Sequence, residues 1–235
     1  MKIGMFSDSH YSSAELLGGI RRNNQSLRKI KEAYQYFAEN QCDLVICLGD
    51  VIDQERDHQL EILHLQDIAD VMKAYRDKMR TIVLMGNHDG FTFRVDDYYR
   101  ILGEDCRPET ISADGKTLLF LDACYFKNGK HYAPGDSDWT DTYYPHTDEL
   151  SEQLSALSDS TVYVFMHQNI DPTVSKEHRL FNDALLREMF EKSGVVNTVF
   201  QGHYHPGNET EVNGIRYIAF PAMCENEACY FIHEL

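Results

Sequence analysis

Short polar motifs whose side chains can bind metal ions recur along most of the chain. Their aspartates, asparagine and histidines supply carboxylate, amide and imidazole donors, and the candidate ligands are Asp8, His10, Asp50, Asn87, His167, His203 and His205. A set that mixes oxygen and imidazole donors without cysteine suits Mn, Fe or Zn better than Ca or Mg, which favour oxygen-only shells. Seven ligands are too many for one tetrahedral ion. They indicate two ions about 3.5–4 Å apart, an arrangement that can clamp phosphorus during an in-line displacement.

The candidate ligands follow apolar runs that are typical of buried strands. Strands are predicted at residues 2–6, 44–48, 81–85, 117–121, 162–166 and 195–200, and helices at residues 27–39, 60–78 and 182–192. Strands that alternate with helices of this length indicate parallel βαβ units. Because parallel strands end at one edge of their sheet, we expect the ligands to converge there. Glycines at positions 49, 86 and 202 would let the backbone turn sharply from strand into ligand.

The C-terminal part of the chain has a different pattern. Short strands are predicted at residues 210–213, 216–220 and 229–233, with a hairpin turn at Asn213-Gly214, so this end is expected to be antiparallel. Residues 125–144 lack periodicity and are predicted to form a long loop, which at this length is often functional. Trp139 and Tyr143 could stack there on a ring of a substrate. Packing of the loop on its own side chains is the alternative, and we favour it.

Composition and charge exclude several classes of protein. With 235 residues, 43% of them hydrophobic and 26% charged, the chain is expected to fold as one domain over residues 1–235. A net charge of −16 repels polyanions and disfavours a nucleic-acid partner. The sequence has no apolar run of the roughly 18–20 residues that cross a membrane, and its first apolar stretch is too short for a signal peptide. We therefore predict a cytoplasmic protein without a membrane partner, and we interpret the six cysteines, which form no CxxC pair, as small buried hydrophobic residues.

The order of the motifs is more specific than any one of them. DSH, GDVID, GNHD, MHQ and GHYH, in this order over residues 8–205, resemble the motif series of the calcineurin-like metallophosphoesterases. The resemblance implies an α/β fold, a four-layer αββα sandwich of two mixed sheets flanked by helices. It also implies a division of the ligands. Asp8, His10, Asp50 and His205 would hold one ion, Asn87, His167 and His203 would hold the other, and Asp50 would bridge the two.

The resemblance gives two further residues a catalytic role. His88 would act on the leaving group or on the developing charge, and Asp89 would orient it. In the expected mechanism a hydroxide that bridges the two ions attacks phosphorus, and His88 as an imidazolium protonates the departing oxygen. The expected enzyme is therefore a dinuclear-metal-dependent phosphohydrolase, and small soluble phosphodiesters or nucleotide-like esters are its favoured substrates.

Other functions fit the motifs less well. A phosphomonoesterase or a nuclease of the same family is the first alternative, and a non-catalytic binding scaffold is the second, although scaffolds usually lack ligands that are all present here. Protein phosphatases of the family usually continue the second motif with arginine and glycine, whereas this chain continues with Gln54-Glu55. The branch that cleaves a lipid-A precursor usually has arginine where this chain has His88.

Two sets of residues keep two interpretations each. Asp53 either hydrogen-bonds a metal ligand from behind or begins the next helix. Arg21, Arg22 and Arg94 either bind a distal phosphate of the substrate or are solvated loop residues. The other six histidines lack the spacing of ligands and are assigned no role.

Overall fold

The fold is known from a computed structural model, which describes residues 1–136, 138 and 140–235. Within these residues the strands are β1 Lys2–Phe6, β2 Leu44–Cys47, β3 Arg80–Val83, β4 Ile111–Ala113, β5 Lys116–Leu121, β6 Thr161–Met166, β7 Val196–Gln201, β8 Asn208–Val212, β9 Ile215–Ala219 and β10 Tyr230–Glu234. They form a four-stranded sheet of order β10-β1-β2-β3 and a six-stranded sheet of order β4-β5-β6-β7-β9-β8. Both sheets are mixed: in the four-stranded sheet only the edge strand β10 is antiparallel to its neighbour, and in the six-stranded sheet the two edge strands β4 and β8 are.

Helices cover the outer face of each sheet. They are α1 Ser26–Glu39, α2 His58–Tyr75, α3 Asn87–Thr92, α4 Val95–Leu102, α5 Thr147–Ala156 and α6 Asp183–Ser193. Apolar residues of α1, α2 and α4 share one core with the four-stranded sheet, and those of α5 and α6 share another with the six-stranded sheet. At the first of these interfaces α1 lies so close to β1 that a Cβ on Gly4 would collide with the ring of Phe37. The expected four-layer sandwich is confirmed.

A third core joins the two sheets. Alternate residues of each strand point to opposite faces, so that Ile3 and Met5 of β1 face the second sheet, as does Ile46 of β2. From the six-stranded sheet, Phe165 packs face to face with Phe200, with ring centroids 5.0 Å apart. Strands in the middle of the sandwich are thus buried on both faces, which explains why their sequences are continuous apolar runs.

Several predicted elements differ from the observed ones. The prediction of an antiparallel C-terminal end is correct for the β8–β9 hairpin and for β10 beside β1, but it is wrong for β9, which pairs parallel with β7. The predicted second helix begins two residues earlier, at His58, because the side chain of Asp57 accepts a hydrogen bond from the N–H of Gln59 and caps it. Short elements α3, α4, α5 and β4 were not predicted.

Residues 125–144 contain no helix or extended strand in the part that the structure describes, as expected. The ring of Tyr132 lies 4.6 Å from that of Phe91 and 4.7 Å from that of Phe126, which favours the packing interpretation of this loop. Trp139, proposed as a stacking residue, lies outside the described residues. Among the described helices, none combines the length and the apolar character required to cross a membrane.

Candidate metal centre

The seven predicted ligands converge at the edge where the parallel strands end. Asp8 and His10 follow β1, Asp50 follows β2, Asn87 follows β3, His167 follows β6, and His203 and His205 follow β7. Three of these strands belong to one sheet and two to the other, so the cluster lies across the carboxyl edges of both sheets. All seven side chains are buried except that of His205, which is partly exposed.

Four of the ligands form one group. The Nε2 atoms of His10 and His205 lie 3.2 Å apart. Nε2 of His205 is 3.5 Å from Oδ1 of Asp8, and Nε2 of His10 is 3.6 Å from Oδ2 of Asp50. These are the four residues that the resemblance assigns to one ion.

The remaining ligands form a second group around the same oxygen of Asp50. Nε2 of His167 lies 3.2 Å from Oδ2 of Asp50 and 3.2 Å from Oδ1 of Asn87. Donor atoms of Asp50, His167 and His203 all lie within 4.8 Å of one another. The other oxygen of Asp50 accepts a hydrogen bond of 2.8 Å from the backbone N–H of His88. That bond turns Oδ2 of Asp50 toward both groups, where a bridging ligand would have to be.

The hydrogen bond of one imidazole, that of His167, shows what the cluster can hold. Nδ1 of His167 donates to the carbonyl of Leu48 at 2.8 Å, and a carbonyl can only accept. In the neutral ring Nε2 therefore carries a lone pair, which faces the oxygens of Asp50 and Asn87. Acceptors that face acceptors in a buried site repel one another unless a cation, either a proton on Nε2 or a metal ion, lies between them. The donor set therefore fits a metal ion.

The pKa values of the histidines depend on burial and on the charges beside each ring. Burial lowers the pKa of His167, but the charge of Asp50 and the hydrogen bond to it outweigh burial and raise the pKa to about 9. For His203, burial and the neighbouring His167 lower the pKa to about 3. Burial also lowers the pKa of His10. His10 and His203 are thus neutral donors, and the carboxylates attract positive charge to His167.

The backbone is strained where it delivers the ligands. Asp8, His10, Asp50 and His203 have φ values of 53°, 45°, 51° and 63°, a region that non-glycine residues rarely adopt. Such strain collects at functional sites, where the surrounding structure imposes it. Here the N–H of Asp8 donates to the carbonyl of Gly49 at 3.0 Å, and the N–H of His10 donates to the carbonyl of Asp50 at 2.9 Å. The loops after β1 and β2 thus hold each other in this conformation.

The three glycines beside the ligands are needed for two different reasons. Gly49 has a φ of +102°, which is the sharp turn that the sequence predicts. Gly86 and Gly202 do not have a positive φ, and there the requirement is space. A Cβ on Gly202 would lie 2.7 Å from Oδ2 of Asp8, and one on Gly86 would lie 2.7 Å from Cγ of Asp50.

His88 lies beside the first group, but its partner is not the expected one. Its Nδ1 lies 2.8 Å from Oδ1 of Asp53, which is buried, and the next helix begins five residues later, at His58, so Asp53 does not begin it. Burial lowers the pKa of His88, yet the charges of Asp50 and Asp53 and the hydrogen bond to Asp53 raise it above its ordinary value. The raised pKa favours the imidazolium form of His88, whose side chain is 24% exposed to solvent.

The expectation that Asp89 orients His88 is wrong. The carboxylate of Asp89 accepts hydrogen bonds of 3.0 Å from the N–H of Val51, 3.2 Å from that of Ile52 and 3.0 Å from that of Gly86. Asp89 points into the fold because α3 begins at Asn87 and places successive side chains on different faces. Burial and the charge of the nearby Asp50 raise the pKa of Asp89 to about 7, because they outweigh these three hydrogen bonds, which lower it. It fixes the loop after β2 that carries Asp50.

Two residues near the site were missed from the sequence. Glu225 contacts Nδ1 of His205 at 2.5 Å, and the hydrogen bond with His205 lowers its pKa. The ring of His178 lies 5.9 Å from that of His203. Neither residue follows a predicted strand, and neither belongs to a motif, so no sequence signal identified them.

The three candidate arginines have different positions. Arg21 lies at the site, with NH1 3.5 Å from Oδ2 of Asp53 and Nε 3.7 Å from Oε1 of Glu225. Arg22 is exposed and borders an open cavity of about 710 Å³ next to Glu225. Arg94 is exposed before the first turn of α4.

Comparison with known proteins places this geometry in a family. The model of the calcineurin-like phosphoesterases matches residues 1–207. The chain belongs to the calcineurin-like phosphoesterase family. It is therefore a hydrolase that acts on phosphate esters, and the family uses divalent metal ions.

This phosphoesterase is similar to proteins with different descriptions. It is 24% identical to the 3',5'-cyclic adenosine monophosphate phosphodiesterase CpdA of Haemophilus influenzae, over 95% of this chain and 77% of that protein. Among solved structures, a dimetal phosphatase from Danio rerio superposes with a TM-score of 0.85 at 16% identity, covering 100% of this chain and 92% of that one. GAP50, described as the anchor in the inner membrane complex of Plasmodium, gives a TM-score of 0.63 at 12% identity, covering 99% and 80%. At these identities the two structures show the fold alone.

Proposed function

We propose that this phosphoesterase binds two ions drawn from Mn, Fe and Zn and hydrolyses small phosphodiesters or nucleotide-like esters. The observation that carries the proposal is the meeting of candidate ligand atoms around Oδ2 of Asp50, with Nε2 of His10 on one side at 3.6 Å and Nε2 of His167 on the other at 3.2 Å. Asp8, His10, Asp50 and His205 would hold one ion, and Asp50, Asn87, His167 and His203 the other.

When bound, the two ions would supply positive charge against the phosphate oxygens and promote the ionisation of water near neutral pH. The protein positions the ligands so that little reorganisation is required. Its hydrogen bonds aim the ligand atoms before an ion arrives: the hydroxyl of Ser7 donates to Oδ2 of Asp8, and the N–H of His203 donates to the same oxygen at 3.0 Å. These bonds leave Oδ1 of Asp8 facing His10 and His205.

His88 is the proposed proton donor to the leaving group. Its Nδ1 is held by Asp53, so its other ring nitrogen remains for the substrate. A proton held by a group with a raised pKa is available at neutral pH, which is what protonation of a departing alkoxide requires. The second carboxylate oxygen of Asp53 accepts a hydrogen bond of 2.9 Å from Asn23, which fixes the orientation of the His88–Asp53 pair.

Charge supports a small substrate. The chain carries −16 overall, and glutamates 15, 225 and 227 line the cavity beside the site, so a polyanion would be repelled there. The similarity to a cyclic-nucleotide phosphodiesterase favours a diester or nucleotide-like compound.

The proposal is tested by metal reconstitution. Chelator-treated protein would be loaded with Mn²⁺, Fe²⁺ or Zn²⁺, its metal content measured by mass spectrometry, and kcat/KM compared for bis-p-nitrophenyl phosphate, p-nitrophenyl phosphate, 3',5'-cyclic AMP and a dinucleoside pyrophosphate. We expect two ions per chain and the highest kcat/KM on a diester or nucleotide-like compound. Asp50→Ala should lose both ions. Binding of fewer than two ions by the wild type, or a preference for the simple monoester, would contradict the proposal.

A further inference from the structure

We propose that Glu225 is a positioning residue, which fixes the ring of His205 and thereby sets the metal affinity of the group formed by Asp8, His10, Asp50 and His205. The inference rests on the proposed function, because it takes His205 to be a metal ligand. Glu225 belongs to none of the five motifs, and it follows the last of them, GHYH, in the sequence.

The contact between the two side chains determines the tautomer of His205. Oε1 of Glu225 lies 2.5 Å from Nδ1 of His205, and an ionised carboxylate can only accept. Nδ1 therefore carries the hydrogen, and the lone pair of the neutral ring is on Nε2. That atom faces Oδ1 of Asp8 at 3.5 Å and Nε2 of His10 at 3.2 Å. A carboxylate behind a ligating imidazole orients the ring and makes it a stronger donor.

The backbone around Glu225 is well placed to act as a fixed support. The N–H of Ala222 donates to the carbonyl of His205 at 3.0 Å, and the N–H of Cys224 donates to that of Asp8 at 3.1 Å. The buried ammonium of Lys29 donates to the carbonyls of Met223 at 3.0 Å and Asn226 at 2.9 Å. Residues 222–226 thus connect α1, the loop after β1 and the loop after β7.

Arg21 links Glu225 to the catalytic side of the site. Its guanidinium lies 3.7 Å from Oε1 of Glu225 and 3.5 Å from Oδ2 of Asp53. One cation therefore lies between the carboxylate that holds His205 and the carboxylate that holds His88. This placement offsets the repulsion that two carboxylates near an anionic cluster would otherwise feel, and it restricts the rotamers of Glu225.

The experiment compares Glu225→Ala and Glu225→Gln with a matched control, Glu227→Ala. Glu227 belongs to the same segment and pairs with Lys29 at 3.6 Å, but its side chain is 75% exposed. Metal affinity would be measured by calorimetric titration of metal-free protein with Mn²⁺ and Zn²⁺. We expect Glu225→Ala to weaken one of two binding events about 10- to 100-fold, the range found for partners of metal-bound histidines. Glu225→Gln, which keeps an acceptor but loses the charge, should fall between it and the wild type.

A spectroscopic readout separates positioning from stability. In the metal-free protein, where no ion fixes the tautomer, long-range ¹H–¹⁵N spectra of the neutral ring should show His205 protonated at Nδ1 in the wild type and in Glu227→Ala, and a mixture of tautomers in Glu225→Ala. Should Glu225→Ala fail to fold, as judged by circular dichroism of the metal-free protein, Glu225→Gln decides the question. Metal affinity and tautomer equal to those of Glu227→Ala would overturn the inference.

His205→Ala distinguishes failure of this inference from failure of the proposed function. If His205→Ala loses an ion while Glu225→Ala and Glu225→Gln bind like the control, the inference alone is wrong. If His205→Ala binds both ions with the affinity of the wild type, the proposed ligand set is wrong and the inference fails with it.

Discussion

At the scale of single residues, Asp50 has the strictest requirements. One carboxylate oxygen is held by the N–H of His88, and the other lies between two groups of imidazoles. An asparagine at this position would keep the shape of the side chain but would place either one neutral oxygen or an N–H donor between the two groups. The site therefore depends on both the geometry and the charge of Asp50.

His88 allows chemistry to be separated from metal binding. We expect His88→Ala to keep its metal content, because no proposed ligand atom is removed, and to lose about 10²- to 10⁴-fold in kcat, the usual contribution of a general acid. Metal analysis and steady-state kinetics on the same preparation measure both. A substrate whose leaving group needs no proton, such as one with a nitrophenolate, should be affected least. Unchanged kcat on alkyl esters would remove His88 from the mechanism.

The convergence of the seven candidate ligands could be predicted from sequence, because each follows a strand that ends at the same edge of the fold. The partner of His88 could not. Asp89 is adjacent to His88 in sequence, but adjacent residues of a helix point in directions about 100° apart. Asp53 reaches Nδ1 of His88 from another loop, at 2.8 Å. Glu225 was missed for the same reason, since a contact between distant loops leaves no periodic signal.

At the scale of elements, the glycines in the turns after β2, β3 and β7 are packed too closely for a Cβ to be added without displacing a neighbour. We expect Gly202→Ala to displace Ser7 and Asp8, because its Cβ would lie 2.7 Å from Oδ2 of Asp8. The variant should be destabilised by about 1–3 kcal/mol, as overpacked sites are, and should lose part of its metal content. Urea unfolding and metal analysis measure these effects.

Gly214→Ala is the control for Gly202→Ala. Gly214 has a φ of +80° in the β8–β9 turn, with no atom within 4 Å of a Cβ added there. Gly214→Ala should lower the free energy of unfolding by about 1 kcal/mol through backbone strain alone and should leave the metal content unchanged. Equal metal content in the two variants would mean that the space around Gly202 is not required by Asp8.

The 125–144 loop should show a pH-dependent stability through His131. Its Nε2 lies 3.0 Å from Oδ2 of Asp122 and its Nδ1 2.9 Å from the carbonyl of Tyr132, so both ring nitrogens face acceptors. Burial lowers the pKa of His131, but the hydrogen bond and charge of Asp122 outweigh burial and raise it. Protonated His131 therefore stabilises the folded state. This contribution is fully present below the pKa of the unfolded state, about 6.5, and is lost as the pH rises through the higher pKa of the folded state.

We therefore expect His131→Gln to lower the free energy of unfolding by about 0.5–1 kcal/mol at pH 5.5. The value is modest because the ion pair of His131 with Asp122 is partly exposed. At pH 9 the cost should be close to zero. Urea unfolding at the two pH values measures it. His146→Gln is the control, since the ring of His146 packs on Tyr125 and Tyr144. A larger loss of stability for His131→Gln at pH 9 than at pH 5.5 would contradict this prediction.

The elements that sequence analysis predicted and those that it missed differ in their apolar content. Strands β2 and β6 are continuous apolar runs, and α1 has a regular apolar face that packs on β1. In contrast α5 has only Leu150 and Leu154 buried, and the six residues of α3 include the ligand Asn87 and His88. A short helix with two buried residues gives too weak a pattern for detection. Its position is determined by the sheet that it covers.

At the scale of the whole molecule, the contact between the two sheets carries much of the stability. We expect Phe165→Ala to destabilise the protein by about 3–5 kcal/mol, because a buried aromatic ring is removed from close-packed surroundings. Phe165 is fully buried and stacks on Phe120 at 5.1 Å and Phe200 at 5.0 Å. Chemical denaturation measures the change. Phe231→Ala, at a ring that is 40% exposed, should cost much less, and similar costs for the two variants would contradict this account.

The four-layer architecture followed from the resemblance of the motif series, whereas alternation of strands and helices predicted only a parallel core. The parallel pairing of β9 with β7 could not be predicted, because the β8–β9 hairpin dominates the local pattern. Which strands lie next to each other depends on how chain segments far apart in sequence meet. Local periodicity does not contain that information.

The division of the proposed ligands between two sheets would couple ion occupancy to the assembly of the sandwich. Asp8, Asp50 and Asn87 follow strands of one sheet, and His167 and His203 follow strands of the other. Sliding of one layer over the other would therefore separate the donors, and bound cations would resist it as a cross-link does. Free ion at 100 times its dissociation constant adds about 2.7 kcal/mol to the stability of a folded state that alone binds it. The melting temperature should accordingly rise with the logarithm of free Mn²⁺ or Zn²⁺ concentration, and thermal scans in metal buffers would record the slope.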